Sequence, residues 1–263
     1  MLQSGRVRVN GEIEKNAKRS IGREDAVEVL SRSKAHVFPA GLSILHEDDD
    51  VIVVLKSHGL LTVATPREQE ATVQAYLNEY LSRKREGRVH VVHRLDRETS
   101  GVLVFAKNFA AREALKEQFA AHSIDRIYAA VVEGTLDPPS GTIRSNLIER
   151  RDLRMQSVDA HPDAKLAVTH YRTVGTGARY SMLEVTLETG RKNQIRAHLS
   201  EAGHPIVGDQ FYGSTVNPLG RLGLHARLLA FTHPTTGKRM KFEAPVPEGF
   251  VECGGHVAAL RRS

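Results

Sequence analysis

The sequence is poor in the features on which several protein classes depend. Its 263 residues include one cysteine, Cys253, so an internal disulfide and a cysteine-based metal cluster are both excluded. The longest aliphatic runs, such as Val51 to Leu55, have the length of a strand, and the N-terminus has no apolar stretch of signal-peptide length. We therefore expect a soluble, cytoplasmic protein with no membrane segment.

Motifs for phosphate, dinucleotide and metal binding are also missing. The chain contains neither a GxGxxG fingerprint nor a GxxxxGK loop. His90 and His93 form an HxxH pair, but in a strand this spacing directs the two side chains to opposite faces. The remaining histidines are scattered, and we predict no metal site.

What the chain does contain is an excess of basic residues and enough apolar residues for one sizeable core. Lys and Arg number 37 against 31 Asp and Glu, a formal net charge of +6, and 40% of the residues are hydrophobic. This balance favours a polyanionic partner, and nucleic acid over an acidic metabolite. The alternative is a solvated basic surface with no partner.

The chain divides into a short N-terminal module, a large domain and a tail. In the first segment, residues 1–33, alternating Val7 and Val9 precede an Asn10-Gly11 turn signal. From 42 to 250, short β-rich segments alternate with helical stretches and show no repeat period, which indicates one mixed α and β domain. Residues 251–263 are the expected tail.

A polar loop, HRLDRETSG, lies between two predicted strands of the large domain, at 89–92 and 102–105. Loops held by rigid strands commonly display reactive side chains, so His93, Arg94, Asp96 and Arg97 are candidates. Two arginines bracket the single aspartate of HRLDR and would attract a phosphate backbone. The alternative for Asp96 is an ordinary turn residue that satisfies its own backbone.

Four segments in order resemble one family, the RluA-type pseudouridine synthases. The loop HRLDRETSG with the following VLVFAK resembles the signature motif, and RIYAAVVEG resembles the segment that carries the active-site tyrosine, here Tyr128. ETGRKNQIRAHLSEAGHPIVGDQFYG resembles the segment that carries an active-site arginine, here Arg196, and LGLHARLLAFTHPTTGKRMKFEAPVP resembles the C-terminal strands. Two positions depart from the family, with Asn193 in place of the usual His and Arg126 in place of the usual Lys.

The resemblance implies a fold, a reaction and a set of site residues. The fold is α+β, with a mixed, largely antiparallel central sheet, flanking helices and a small N-terminal β-rich fragment. The reaction is the isomerisation of uridine to pseudouridine within structured RNA, and it needs no cofactor because no electrons or phosphoryl groups are exchanged. The implied catalytic residues are Asp96, Tyr128 and Arg196. Residues 1–33 resemble the second half of the small αL RNA-binding domain first described in a ribosomal small-subunit protein.

The chemistry of these residue types leaves several roles open. Asp96 could attack the sugar, stabilise developing positive charge or remove a proton, as the carboxylates of glycosidases do. Tyr128 could stack on the uracil or act as a base. For Arg196 we predict an ion pair with Asp96, since a guanidinium would keep a carboxylate ionised in a pocket shaped for a base.

The expected RNA contacts come from the same two motifs. Arg94 and Arg97 flank Asp96, and Arg191 and Lys192 are predicted in the first turn of the helix that carries Arg196, where cations would attract a phosphate. Asn193, expected on the same face of that helix as Arg196, is the fifth predicted RNA contact.

We expect a monomer that acts on ribosomal or transfer RNA. Two rival functions remain open at this point, a non-catalytic RNA-binding or ribosome-assembly protein and a ribonuclease. A ribonuclease would need a hydrolytic arrangement such as paired histidines or clustered carboxylates, and the sequence shows neither in a convincing arrangement.

Overall fold

The computed structural model describes residues 7–22, 24–29, 38–65, 68 and 71–255. Contacts between backbone positions divide the chain into two units, Met1–Pro39 and Ala40–Ser263. The expected module boundary at residue 33 and most of the expected tail, from 256 to 263, lie outside the described residues.

The first unit contains a small antiparallel sheet. Its strands are β1 (Val7–Val9), β2 (Glu12–Glu14) and β3 (Val27–Val29), in the order β2-β1-β3. Asn10 and Gly11 have φ values of 53° and 84°, the pair of positive values that a two-residue type I′ hairpin turn needs. The predicted turn is therefore confirmed, and the resemblance of this segment to an αL module stays a prediction.

The second unit combines eleven strands with four helices within the described residues. In chain order the elements are β4 (Leu42–Glu47), β5 (Val51–Lys56), α1 (Val73–Lys84), β6 (His90–Val91), β7 (Ser100–Ala106), α2 (Phe109–Ala120), β8 (Asp125–Glu133), β9 (Ser140–Glu149), β10 (Met155–Val158), β11 (Lys165–Thr176), β12 (Tyr180–Leu187), α3 (Gln194–Glu201), a 3-10 helix (Gln210–Tyr212), β13 (Leu224–Thr232), β14 (Arg239–Glu243) and α4 (Glu248–Gly254).

The strands of this unit form one mixed, largely antiparallel sheet, as expected. The strand order is β10-β9-β11-β12-β8-β13-β7-β5-β4, with β14 beside β13 and β6 beside β7. Among the pairings between these strands in the described part of the chain, only that of β7 and β13 is parallel, where His225 faces Ser100 and Ala226 faces Gly101. A Cβ at Gly101 would lie 2.1 Å from the carbonyl oxygen of Ala226, so glycine is required for these strands to approach.

The core is centred on β5 and β7, whose residues are almost fully buried. Ala111 and Leu115 of α2 pack against them, and Phe119 borders the same cluster, so apolar residues at a spacing of four form the face of α2 that meets the core. Asn108 caps α2, because its side chain accepts a hydrogen bond of 2.8 Å from the amide of Ala111. No helix in the described part of the chain is long and apolar enough to cross a membrane.

The C-terminal helix extends the packed structure beyond residue 250. Phe250 of α4 is 1% exposed and joins a cluster with Val131 of β8 and Met182 of β12. The helix continues to Gly254, so the sequence estimate of the domain end falls inside α4.

Candidate active site

The loop that carries Asp96 connects β6 to β7, as the sequence predicts, and its backbone is fixed at several points. Nε2 of His93 accepts a hydrogen bond from the amide of Val104 at 3.2 Å, and burial lowers the pKa of His93 to about 3, which leaves the imidazole neutral and able to accept. One residue before Asp96, the amide and carbonyl of Leu95 both bond to Oγ1 of Thr62, at 3.2 and 2.7 Å. The backbone on the N-terminal side of Asp96 is thereby held in place.

A buried lysine secures the other side of the loop. Nζ of Lys56 donates to the carbonyls of Ser57, Leu60 and Arg97, at 2.9, 2.7 and 3.0 Å. Burial lowers the pKa of Lys56 to about 7, whereas donation to three acceptors requires the ammonium form. These bonds tie the residue that follows Asp96 to the segment after β5.

Lys56→Met is therefore expected to lower the free energy of unfolding by about 3 kcal/mol, because three buried carbonyls would lose their donor. Urea unfolding followed by circular dichroism measures the effect. Lys165→Met, at an exposed lysine of β11, is the control and should change stability by less than about 0.5 kcal/mol. Equal effects of the two substitutions would contradict this role of Lys56.

The three predicted catalytic residues line one pocket. Asp96, Tyr128 and Arg196 come from the β6–β7 loop, β8 and α3, and the pocket they share encloses about 200 Å³. Its other lining residues in the described part of the chain are Arg94, Leu95, Thr99, Leu187, Gly190, Arg191, Lys192, Asn193, Gln194, Ile195 and Leu224. Asp96 is the one carboxylate among them, and its side chain is 26% exposed.

Arg196 forms the predicted ion pair with Asp96, although the two lie a hundred positions apart. Its Nη1 lies 3.4 Å from Oδ2 of Asp96. Its closest partner is a different carboxylate, Asp209, to which Nε and Nη2 donate at 2.7 and 2.8 Å. Burial by itself would lower the pKa of Arg196. The hydrogen bonds to Asp209 have the larger combined effect, and the pKa of Arg196 is raised above its ordinary value. The fork to Asp209 fixes the guanidinium and leaves one edge for Asp96.

Asp209 is a site residue that sequence reasoning missed. It is 2% exposed and also caps the 3-10 helix, because Oδ1 accepts from the amide of Tyr212 at 3.2 Å. The ring of Tyr212 lies 5.0 Å from the guanidinium of Arg196, which places a second group of this short helix against the arginine. The sequence offers one signal for Asp209, its position in the GDQFYG part of the segment that resembles the family. The spacing of the residues does not predict that this turn folds back onto α3.

Tyr128 is nearly enclosed, with 9% of its surface exposed. Burial raises the pKa of its phenol, and the charge of Asp96 acts in the same direction while that of Arg126 opposes it. The hydroxyl is consequently protonated at neutral pH, and Tyr128 is part of the pocket wall.

The segment before α3 differs from the sequence prediction in one respect. The helix begins at Gln194, with Asn193 as its N-terminal flanking residue at φ 49°, so Arg191 and Lys192 precede the helix and do not lie in its first turn. The buried side chain of Gln194 holds the turn, since its Oε1 accepts from Oγ1 of Thr189 at 2.7 Å and from the amide of Arg191 at 3.0 Å. Because of this bonded turn, the helix begins later than the sequence predicts.

The predicted RNA-binding residues are brought together in part. Arg94 is exposed and lines the pocket, as do Arg191, Lys192 and Asn193. Asn193 is itself part of the arginine network, because its Oδ1 accepts from Nη1 of Arg196 at 3.3 Å. Arg97 is not a lining residue; its side chain is 65% exposed and donates from Nε to the carbonyl of Gly59 at 3.1 Å.

One group of potential metal ligands lies elsewhere, where the β4–β5 turn meets the end of β13. Its members are Asp48, Asp50 and His233. Nδ1 of His233 accepts from the amides of Thr235 and Thr236, at 3.2 and 3.1 Å, so the ring proton is on Nε2, which points to Asp48 at 3.2 Å. A protonated nitrogen offers no lone pair to a metal, and these groups form a hydrogen-bonded turn.

Comparison with known proteins identifies the family. Residues 50–201 match the model of the RNA pseudouridylate synthase family. The chain is 36% identical to the RNA pseudouridine synthase YlyB of Bacillus subtilis over 95% of this chain and 85% of that protein. It is 37% identical to the ribosomal large subunit pseudouridine synthase D of Pseudomonas aeruginosa over 80% of this chain and 70% of that protein.

A solved structure shows the same fold. The structure of human RNA pseudouridylate synthase domain containing 4 aligns with a TM-score of 0.67 at 26% identity, covering 80% of this chain and 91% of that one. The match confirms the α+β fold class. With the family model over more than half of the chain, it establishes that this chain belongs to the RNA pseudouridine synthases, which are isomerases.

Proposed function

We propose that this enzyme converts uridine to pseudouridine in large-subunit ribosomal RNA, with Asp96 as the catalytic carboxylate. The observation that carries the proposal is the composition of the pocket. Asp96 is the one carboxylate among its described lining residues, and Tyr128 and Arg196 line the same space. A carboxylate is suited to the cleavage of a glycosidic bond, and this site supplies one whose side chain is partly exposed to the pocket.

The reaction balances without an external oxidant or reductant. The bond from the ribose C1′ to N1 of uracil breaks, the detached base turns, and a new bond forms from C1′ to C5. The hydrogen on C5 leaves as a proton, and N1 gains a proton. A carboxylate suits these steps, as in glycosidases, where Asp and Glu attack the sugar, stabilise positive charge on it or relay protons.

Arg196 and Tyr128 prepare the pocket for this chemistry. The guanidinium places a positive charge 3.4 Å from Oδ2 of Asp96 and donates a hydrogen bond to it, which orients the carboxylate toward the pocket. Tyr128 offers a flat ring to the uracil and a protonated hydroxyl to the turning base. Apolar side chains of Leu187, Ile195 and Leu224 complete the wall and exclude water from the glycosidic carbon.

The target uridine has to leave the RNA stack to reach Asp96, at a cost of roughly a few kcal/mol. Arg94 is exposed at the pocket. It is suited to fill the gap that the extruded uridine leaves in the RNA stack, because a planar guanidinium stacks on bases. The proposal of ribosomal RNA over transfer RNA rests on the relatives, since several that are about 35% identical are named as large-subunit enzymes. We further propose that the protein acts as a cytoplasmic monomer and needs no cofactor.

Release of tritium tests the proposal. An unmodified transcript of large-subunit ribosomal RNA labelled with 5-³H-uridine should lose tritium to water when the enzyme is added, because the C5 hydrogen departs as a proton. A parallel transfer RNA mixture is expected to release at least about tenfold less. RNA binding without any release would favour the non-catalytic alternative, and preferential release from transfer RNA would overturn the substrate assignment.

A further inference from the structure

The connection between β9 and β10 presents three arginines at a position that the reaction does not use. Residues 150–154, here called the hairpin tip, read Arg-Arg-Asp-Leu-Arg, and all five are exposed. Arg150 donates to the neutral side chain of Gln156 at 2.7 Å, and Arg154 lies 3.9 Å from Asp152, a long separation for an ion pair. Arg151 has no side-chain partner among the residues that the structure describes. The positive charge of the tip is therefore largely uncompensated.

An exposed aromatic ring lies against this charge. Phe211, on the 3-10 helix, is 39% exposed, and the guanidinium of Arg154 sits over its ring at 4.9 Å from the centroid. Leu153, at the turn of the tip, is 61% exposed. Basic side chains interleaved with exposed flat groups are the composition of surfaces that bind unstacked nucleic-acid bases and the phosphates between them.

The tip is joined to the active site by direct contacts. The amide of Met155 donates to the hydroxyl of Tyr212 at 2.9 Å, and the Tyr212 ring contacts Arg196. The amide of Ser157 on β10 donates to Glu201 on α3 at 2.8 Å. Lys192, which lines the pocket, forms an ion pair with Glu149, the residue before the tip. The tip therefore continues the basic wall of the pocket outward.

From these contacts we infer that Arg150, Arg151, Arg154 and Phe211 form a second RNA-binding subsite. It takes the strand that flanks the extruded uridine: the arginines bind its phosphates, and one unstacked base lies on Phe211 beside the guanidinium of Arg154. This inference rests on the proposed action on RNA. It adds a binding role for residues outside the catalytic pocket, which should affect affinity and leave the chemical step unchanged.

The test uses the full-length enzyme and the same unmodified transcript of large-subunit ribosomal RNA. Arg151→Ala should reduce the slope of log affinity against log salt by about 0.7 to 0.9, the value for one lost phosphate contact. Arg179→Ala is the matched control. Arg179 is also exposed and without a described side-chain partner, but it lies beyond the far end of the 12-residue strand β11, ~35 Å away at about 3.3 Å per residue. For Arg179→Ala, the slope of log affinity against log salt should equal that of the wild type.

Phe211 is tested separately by kinetics. Phe211→Ala should raise KM about tenfold, as expected for loss of one stacked base, with kcat within twofold of the wild type. Phe211→Tyr should restore KM because the ring is retained. An unchanged kcat in the alanine variant also shows that neighbouring Tyr212 still supports Arg196.

The outcomes separate this subsite from the proposed function. Equal salt slopes for Arg151→Ala and Arg179→Ala, together with an unchanged KM for Phe211→Ala, would overturn the subsite while wild-type tritium release stands. If the wild type binds the transcript but releases no tritium, the proposed function fails. In that case the slope of log affinity against log salt for Arg151→Ala still shows whether the subsite binds RNA.

Discussion

Asp96→Asn is expected to reduce pseudouridine formation by on the order of 10⁴-fold or more, the scale seen when a covalent or acid-base centre is removed. The amide has nearly the same shape as the carboxylate, so the loop and the bond from Arg196 should persist. What disappears is the negative charge and the nucleophilic oxygen, in a pocket whose described lining contains no other carboxylate. RNA affinity should stay within about threefold, because the pocket volume is unchanged.

The measurement is tritium release at saturating RNA, combined with the dissociation constant of the same RNA. Glu98→Gln is the control, since it removes one negative charge from the same loop at a residue that does not line the pocket. It should retain kcat within about twofold. Deamidation of the new asparagine has to be excluded by mass spectrometry. Wild-type turnover by an intact Asn variant would remove Asp96 from its central role.

The second large effect is expected at Arg196. Arg196→Ala should lower kcat by about 10²- to 10³-fold, a loss typical of one charged group that prepares a reactive centre. It should also lower the free energy of unfolding by about 3 kcal/mol or more, because Asp209 would be left buried and unpaired. Arg196→Lys keeps one charge but lacks the planar fork, so it cannot hold both carboxylates and should recover stability more than turnover.

A double variant separates the two roles of this arginine. Arg196→Ala with Asp209→Ala removes the stranded carboxylate, and stability should recover by about 1–2 kcal/mol relative to the single variant. Turnover should not recover, since nothing then pairs with Asp96. If the double variant regains turnover along with stability, Arg196 acts only as a structural residue.

Many local features could be predicted from neighbouring residues alone. Asn10 and Gly11 predict their turn because few other residue pairs accept two positive φ values. Asn108 followed by apolar residues at a spacing of four predicts α2 with its cap. The HRLDRETSG loop was also placed correctly between two strands, since β-branched residues flank it.

Predictions failed where a distant contact or a buried polar side chain overrode the local pattern. The start of α3 was placed too early, because Gln194 holds the preceding turn through Thr189 and strand β11. Lys56 reads as a surface residue, yet it is 1% exposed and bonded to three carbonyls. Long polar side chains are usually exposed, and only the fold shows where their partners are.

The sequence by itself determined the chemistry available to this protein. It supplied the carboxylate, the tyrosine and the arginine in recognisable segments, the basic balance that suits RNA, and the local turns and caps that short-range sterics dictate. The tertiary structure alone decided how these groups meet. Asp96, Arg196 and Asp209 converge because the β6–β7 loop and the start of the 3-10 helix both lie against α3, where Arg196 bonds to the two carboxylates. Such contacts between distant segments depend on the packing of the whole sheet, which no local propensity encodes.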